Sequence, residues 1–205
     1  MNVYMQPLGP VQANCYVIEK DGHALLIDPG DRFPQLKPFL EKEDIQLDAI
    51  LLTHAHFDHM AGLDSIVKEF QVPVYMSPYE FDFLSDGEKN ASVSFGRFIR
   101  FTNIQPISLD EGKTMISNFE VQTIHCPGHT IGSNVYIIGN NMFTGDVLFL
   151  GSMGRTDLPT GSDYAMEKSL VKLKKLTENY HIYPGHGPET TLDYEKSTNF
   201  YLRRL

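Results

Sequence analysis

Tryptophan is absent, cysteine occurs twice, and no apolar run approaches the roughly 18 residues that cross a membrane. Nothing in the chain is therefore expected to span or anchor in a bilayer. Cys15 and Cys126 stand far apart without CxxC spacing. They read as two reduced thiols of a cytoplasmic protein. Basic residues are scarce: 17 Lys and Arg face 26 Asp and Glu, for a formal charge of −9. A nucleic-acid partner would call for a basic face, so none is expected. The opening MNVYMQPLGPVQANCYVIEK has no basic start ahead of an apolar stretch, so no secretory signal is expected. There is no internal repeat and no low-complexity linker. A length of 205 residues fits one domain, 1–205, with an ample core.

What is present is a series of short β-like runs: NCYVIE, HALLID, LDAILLT, VPVYM, FEVQTI, NVYIIG and NMFTGD. KDG at 20–22 and GNN at 139–141 read as hairpin turns between successive runs. Helices are expected over Phe33–Glu43, over Gly62–Phe70, and over 162–179, where Ser162 and Asp163 can cap and Met166, Leu170, Leu173 and Leu176 form one stripe. This pattern implies an α/β fold with sheets covered by helices. The stretch 79–101 fits no strand pattern and is rich in phenylalanine, with Arg97 and Arg100. It reads as a core-packing insertion or as a substrate wall, and its aromatics offer a face for a homodimer.

The segment LTHAHFDHMAGL concentrates His54, His56, Asp58 and His59. One helix would scatter them, since His56 lies about 200° round from His54 at 100° per residue. A strand end, LLTHAH, turning through FD into a helix that starts near Met60 gives two pairs, His54/His56 and Asp58/His59. Neither pair completes a shell of about four ligands. His129 in HCPGHTIGS, Asp146 in MFTGDVLF and His186 in IYPGHGP can supply the rest. Five histidines and two aspartates suit two divalent ions with one shared aspartate and a bridging hydroxide. Zinc is expected, and iron and manganese accept the same mixed nitrogen and oxygen set. His23, His125 and His181 lack such a setting and read as structural or surface residues. Cys126 beside His125 is a poor nucleophile pair, because adjacent strand residues face opposite ways.

The order THAHFDH, GHT, TGD, PGHG resembles the metallo-β-lactamase superfamily over residues 10 to 200. The resemblance implies an αββα sandwich, two mixed sheets flanked by helices, with metals at one edge. It implies His54, His56 and His129 at one ion, Asp58, His59 and His186 at the other, and Asp146 between them. Asp28 in LLIDPG matches an aspartate that supports the ligands from behind. True β-lactamases of the superfamily lack the bridging aspartate. The run FLGSMGRTDLPTGS (149–162) is similar to glyoxalase II-like hydrolases, especially short bacterial ones, and to persulfide dioxygenases. Arg155 matches a basic residue that binds glutathione; otherwise it forms a buried ion pair with Asp157 or a helix. Glyoxalase II proper has a C-terminal helical domain, whereas here 19 residues follow His186, and Gly187–Pro188 stand where that family has a tyrosine.

The resemblance implies a metal-dependent hydrolase that cleaves an anionic S-acyl thiol such as S-lactoylglutathione through a metal-bridging hydroxide. Asp58 and Asp146 would be its catalytic carboxylates. The alternatives are a mononuclear iron persulfide dioxygenase and, less well supported by the acidic charge, a phosphodiesterase or RNA-processing hydrolase.

Overall fold

The computed structural model describes residues 1–205. β1 (Asn2–Leu8), β2 (Ala13–Lys20), β3 (His23–Ile27), β4 (Gln46–Leu51), β5 (Val74–Met76) and β6 (Ile107–Ser108) form one sheet in that order. The first two pairings are antiparallel and the other three parallel. In the second sheet β7 (Gly112–Ile116), β8 (Phe119–His125), β9 (Asn134–Ile138) and β10 (Asn141–Gly145) are antiparallel neighbours. A small hairpin of β11 (Leu148–Phe149) and β12 (Ser152–Met153) follows. β13 (His181–Pro184) then joins β10 in parallel, and β14 (Thr190–Thr191) forms the edge. Helices α1 (Leu36–Lys42), α2 (Phe57–Met60) and α3 (Leu63–Phe70) belong to the first half. Helices α4 (Asp163–Lys174), α5 (Leu192–Thr198) and α6 (Phe200–Arg203) belong to the second.

The two-residue period of the strands builds three core layers. Along β2, Cys15 and Val17 pack toward Leu36, Leu40, Leu63 and Ile66 of α1 and α3. Tyr16 and Ile18 point the other way and meet Tyr136, Ile138 and Phe143 of the second sheet. Val135 and Ile137 of β9 turn outward to Met166, Leu170 and Leu173 of α4. Central strands buried on both faces read as unbroken apolar runs, which is why HALLI and NVYII show little alternation. The layers run helices, sheet, sheet, helices.

Both expected hairpin turns form. Asp21 and Gly22 have φ of 53° and 79°, the two positive values of a type I′ turn, between the paired Lys20 and His23. Gly139 (φ 62°) and Asn140 link the paired Ile138 and Asn141. Three helical boundaries differ from expectation. The first helix covers only Leu36–Lys42. α4 starts on Ser162, whose Oγ accepts from the Ala165 N–H at 3.3 Å, and stops at Lys174, short of 179. There Leu176 N–H bonds to Leu173 O in a tightened 3₁₀ turn that leads the chain away. α2 starts at Phe57, ahead of Met60. β4 ends at Leu51 because the Thr53 N–H turns to the Asp28 carboxylate at 2.8 Å and leaves the ladder.

The 79–101 segment packs into the core, the first of its two expected purposes. It forms two 3₁₀ pieces, Pro78–Leu84 and Val93–Phe95. Phe83, Leu84 and Phe101 enter the core, while Phe95 and Phe98 are 49% and 80% exposed. No helix is long and apolar enough to cross a membrane.

Candidate metal centre

Loops at one edge of the sandwich bring the sequence motifs together. His54 and His56 follow β4, Asp58 and His59 sit on α2, His129 follows β8, Asp146 follows β10 and His186 follows β13. Donor atoms of His54, His56 and His129 lie within 4.8 Å of one another, as do those of Asp58, His59 and His186. Asp146 stands between the groups. Its Oδ1 is 3.5 Å from His59 Nε2, and its Oδ2 is 3.5 Å from His129 Nε2 and 3.7 Å from His186 Nε2. All seven residues expected from the motifs thus meet in one place.

The rings are aimed by their outer nitrogens. His59 Nδ1 donates to Asp28 Oδ2 at 2.9 Å, which leaves Nε2 facing Asp58 and Asp146. His129 Nδ1 donates to the Arg155 carbonyl at 2.7 Å and presents Nε2. His54 Nδ1 lies 3.1 Å from Thr53 Oγ1, which itself donates to Asp28 at 2.6 Å. Asp28 therefore sits behind the cluster, as the motif implies, in a left-handed backbone conformation (φ 51°).

Electrostatics separate the two groups of donors. Burial, and then neighbouring imidazoles, push His54 and His56 well below the usual histidine range, so both are neutral. Burial also opposes charge on His59, but Asp58, Asp146 and Asp28 outweigh it and raise the ring to about 10. Burial works against ionised Asp58, yet His59 and His186 hold its carboxyl well below the carboxylate range. The same Asp58 contact, at 3.2 Å, overrides burial to raise His186.

This set fits divalent ions. The buried Nε2 atoms of His54, His56 and His59 and Oδ1 of Asp146 have no hydrogen-bond partner. Orphaned buried polar atoms are costly, and those of His54, His59 and Asp146 lie among the two donor groups, where a cation would satisfy them, while His56 turns its Nδ1 to within 2.8 Å of His129 Nε2. Neutral imidazole and ionised carboxylate are the ligand forms for zinc or iron. Glycine makes the approach possible. A Cβ on Gly185 would come within 2.2 Å of Asp146 Oδ1, and one on Gly145 (φ 47°) within 2.3 Å of Thr53 Oγ1.

Three supporting residues carry no motif. Glu80 is fully buried; its Oε2 accepts from the Ala55 N–H at 2.6 Å and its Oε1 from the Gly132 N–H at 2.8 Å. It thus ties the His54–His56 loop to the loop after His129. Burial pushes its carboxyl up to about 7 against the pull of those bonds. Asn14 and Tyr16 hold the His186 loop through the Pro184 and Gly187 carbonyls at 2.6–3.0 Å. A polar Asn opening an apolar strand is a faint signal for the second case. Glu80 has none, because its partners lie 25 and 52 residues away.

The remaining candidates lie elsewhere. His23 pairs with Asp48, His181 with Glu189, and His125 bonds the Ile131 carbonyl and stacks on Tyr79. Cys126 is in the core, where burial pushes its thiol up to about 12. Arg155 does pair with Asp157, through two bonds of 2.6 and 2.7 Å, but the pair is exposed rather than buried, because both residues sit on a surface loop. A cleft of about 340 Å³ opens over the centre.

The sequence model of the metallo-beta-lactamase superfamily matches residues 8–186. Hydroxyacylglutathione hydrolase GloC of Haemophilus influenzae is 34% identical over 212 residues, covering 98% of each chain. The crystal structure of BLEG-1 B3 metallo-beta-lactamase matches with a TM-score of 0.93 at 37% identity, over 98% of this chain and 99% of the other. That of TTHA1623 in a di-iron-bound form matches with a TM-score of 0.85 at 37% identity, over 97% of this chain and 100% of the other.

Proposed function

We propose that this chain, which belongs to the metallo-beta-lactamase superfamily, is a metal-dependent hydrolase of anionic thioesters in the manner of glyoxalase II. S-Lactoylglutathione represents the substrate class, in line with the named activity of the Haemophilus relative. His54, His56 and His129 would hold one divalent ion, Asp58, His59 and His186 the other, and Asp146 both. When bound, such ions acidify a water molecule and polarise the scissile carbonyl.

The observation that carries the choice of a thioester is a missing residue type. Outside the clustered His and Asp side chains, the cleft is lined by no Lys, Tyr, Ser or further His that could protonate a leaving group. An amine leaving group needs a proton, whereas a thiol with pKa near about 8.5 departs as the thiolate. Asp58, kept ionised by His59 and His186, accepts hydrogen bonds from the attacking water and orients it. Asp28 and the Arg155 carbonyl keep His59 and His129 from rotating. Two carboxylates against two dications leave a positive centre, which suits an anionic substrate in a protein of charge −9.

The test is thiol release from S-lactoylglutathione by metal-loaded protein, with and without chelator. Rapid, chelator-sensitive release supports the reading. No release, together with oxygen uptake on a persulfide, would replace it with the dioxygenase alternative. Hydrolysis of a chromogenic β-lactam alone would favour the activity named for the BLEG-1 structure.

A further inference from the structure

Five of the twelve residues lining the cleft belong to the His/Asp cluster, and six are apolar: Val11, Phe57, Ala91, Phe95, Phe149 and Leu158. The twelfth is Arg155. The apolar residues come from separate parts of the chain and line the same cleft. Phe57 and Phe95 pack with ring centroids 5.1 Å apart, and Phe149 meets the His186 ring edge-on at 6.3 Å. Binding clefts are commonly apolar, but they carry a few placed polar groups that read the ligand. Here the one such group outside the cluster is Arg155, which is held by Asp157 and has a 56% exposed side chain at the rim.

A thioester has two arms. Thiol carriers are chains of amides, carboxylates or phosphates, and these need hydrogen-bond partners when they are buried. The side chains of these six apolar residues offer them none. The acyl arm can be wholly apolar, and a cleft of about 340 Å³ holds a short alkyl chain. We infer that the Phe57–Phe95–Phe149 wall seats an apolar acyl group, with the thiol carrier leaving past Arg155, so that alkanoyl thioesters are better substrates than hydroxyacyl ones. The inference rests on the thioesterase reading and specifies the acyl group that this reading leaves open. A hydroxyl on an acyl chain seated against Phe57 and Phe95 would lose water without gaining an acceptor from those two side chains.

The experiment measures kcat/KM of the metal-loaded protein for S-acetyl-, S-butanoyl- and S-lactoylglutathione, which share one thiol. Burial against the wall is expected to contribute about fourfold per methylene. S-Butanoylglutathione, longer by two methylenes, should then exceed the acetyl ester by about 16-fold, and should exceed the lactoyl ester as well. Phe95→Ala should shrink the butanoyl-to-acetyl ratio, and Phe95→Leu should restore most of it. A lactoyl ester cleaved as well as or better than the butanoyl ester would overturn the inference while leaving the thioesterase standing. Release from none of the three by fully metallated protein would overturn both. If Phe95→Ala does not fold, the wild-type ratios decide alone.

Discussion

Asp28 Oδ2 accepts a hydrogen bond from His59 Nδ1 at 2.9 Å, across 31 residues of sequence and with both side chains buried. The same carboxylate takes the Thr53 N–H and hydroxyl, so one residue orients His59 directly and His54 through Thr53. Groups that orient metal-bound histidine govern affinity by about 10–100-fold. Asp28→Asn should weaken divalent ion binding by that order, measured by competition with a chromophoric chelator. Unchanged affinity would show that His59 needs no such support.

His59 provides a pH signature. In the metal-free protein its ring is raised to about 10 by Asp58, Asp146 and Asp28, against the cost of burial. A raised pKa stabilises the fold fully below the ordinary value near 6.5, and this contribution fades as pH climbs through about 10. The chelated protein should therefore lose the His59 contribution between those limits. A metal ion needs the neutral ring, so binding at pH 7.5 should expel a proton. Calorimetry in buffers of different ionisation enthalpy reads that number directly. Zero proton release would contradict a charged His59.

Glu80 ties the two loops that carry His54, His56 and His129. Glu80→Ala would orphan the buried Ala55 and Gly132 N–H groups, at about 1–3 kcal/mol each. The expected result is a lowered melting temperature and weakened binding of at least one metal ion. Glu80→Gln keeps one acceptor and should fall between wild type and alanine. If Glu80→Ala melted lower but bound both ions normally, Glu80 would serve the fold alone.

The legible part of the centre was local. His54, His56, Asp58 and His59 crowd one hexapeptide, and His129, Asp146 and His186 each sit beside glycine at the end of an apolar run. Loops after strands gather at sheet edges, so these motifs point to one site from the sequence alone. Glu80 and Tyr16 carry no signal in the sequence and Asn14 only a faint one, because their value lies in contacts made only after the sheets pack. The apolar stripe outruns α4, because Leu176 continues it yet lies beyond the last helical residue, packed against the same core. The start of α2 shifted because Asp28, distant in sequence, draws Thr53 out of the strand. Arg155, matched to a glutathione-binding position or else to a buried ion pair, pairs with Asp157 in the open, because burial there depends on a loop path that residue spacing does not encode.

The most direct test of the account is a titration of the chelated protein with divalent ions, following bound metal and thiol release from a glutathione thioester together. Seven converging ligands with Asp146 between two sets predict that activity saturates at two ions per chain, and that Asp146→Ala loses turnover even when metal is supplied in excess. Saturation at one ion per chain, or near-normal turnover in fully metallated Asp146→Ala, would contradict it.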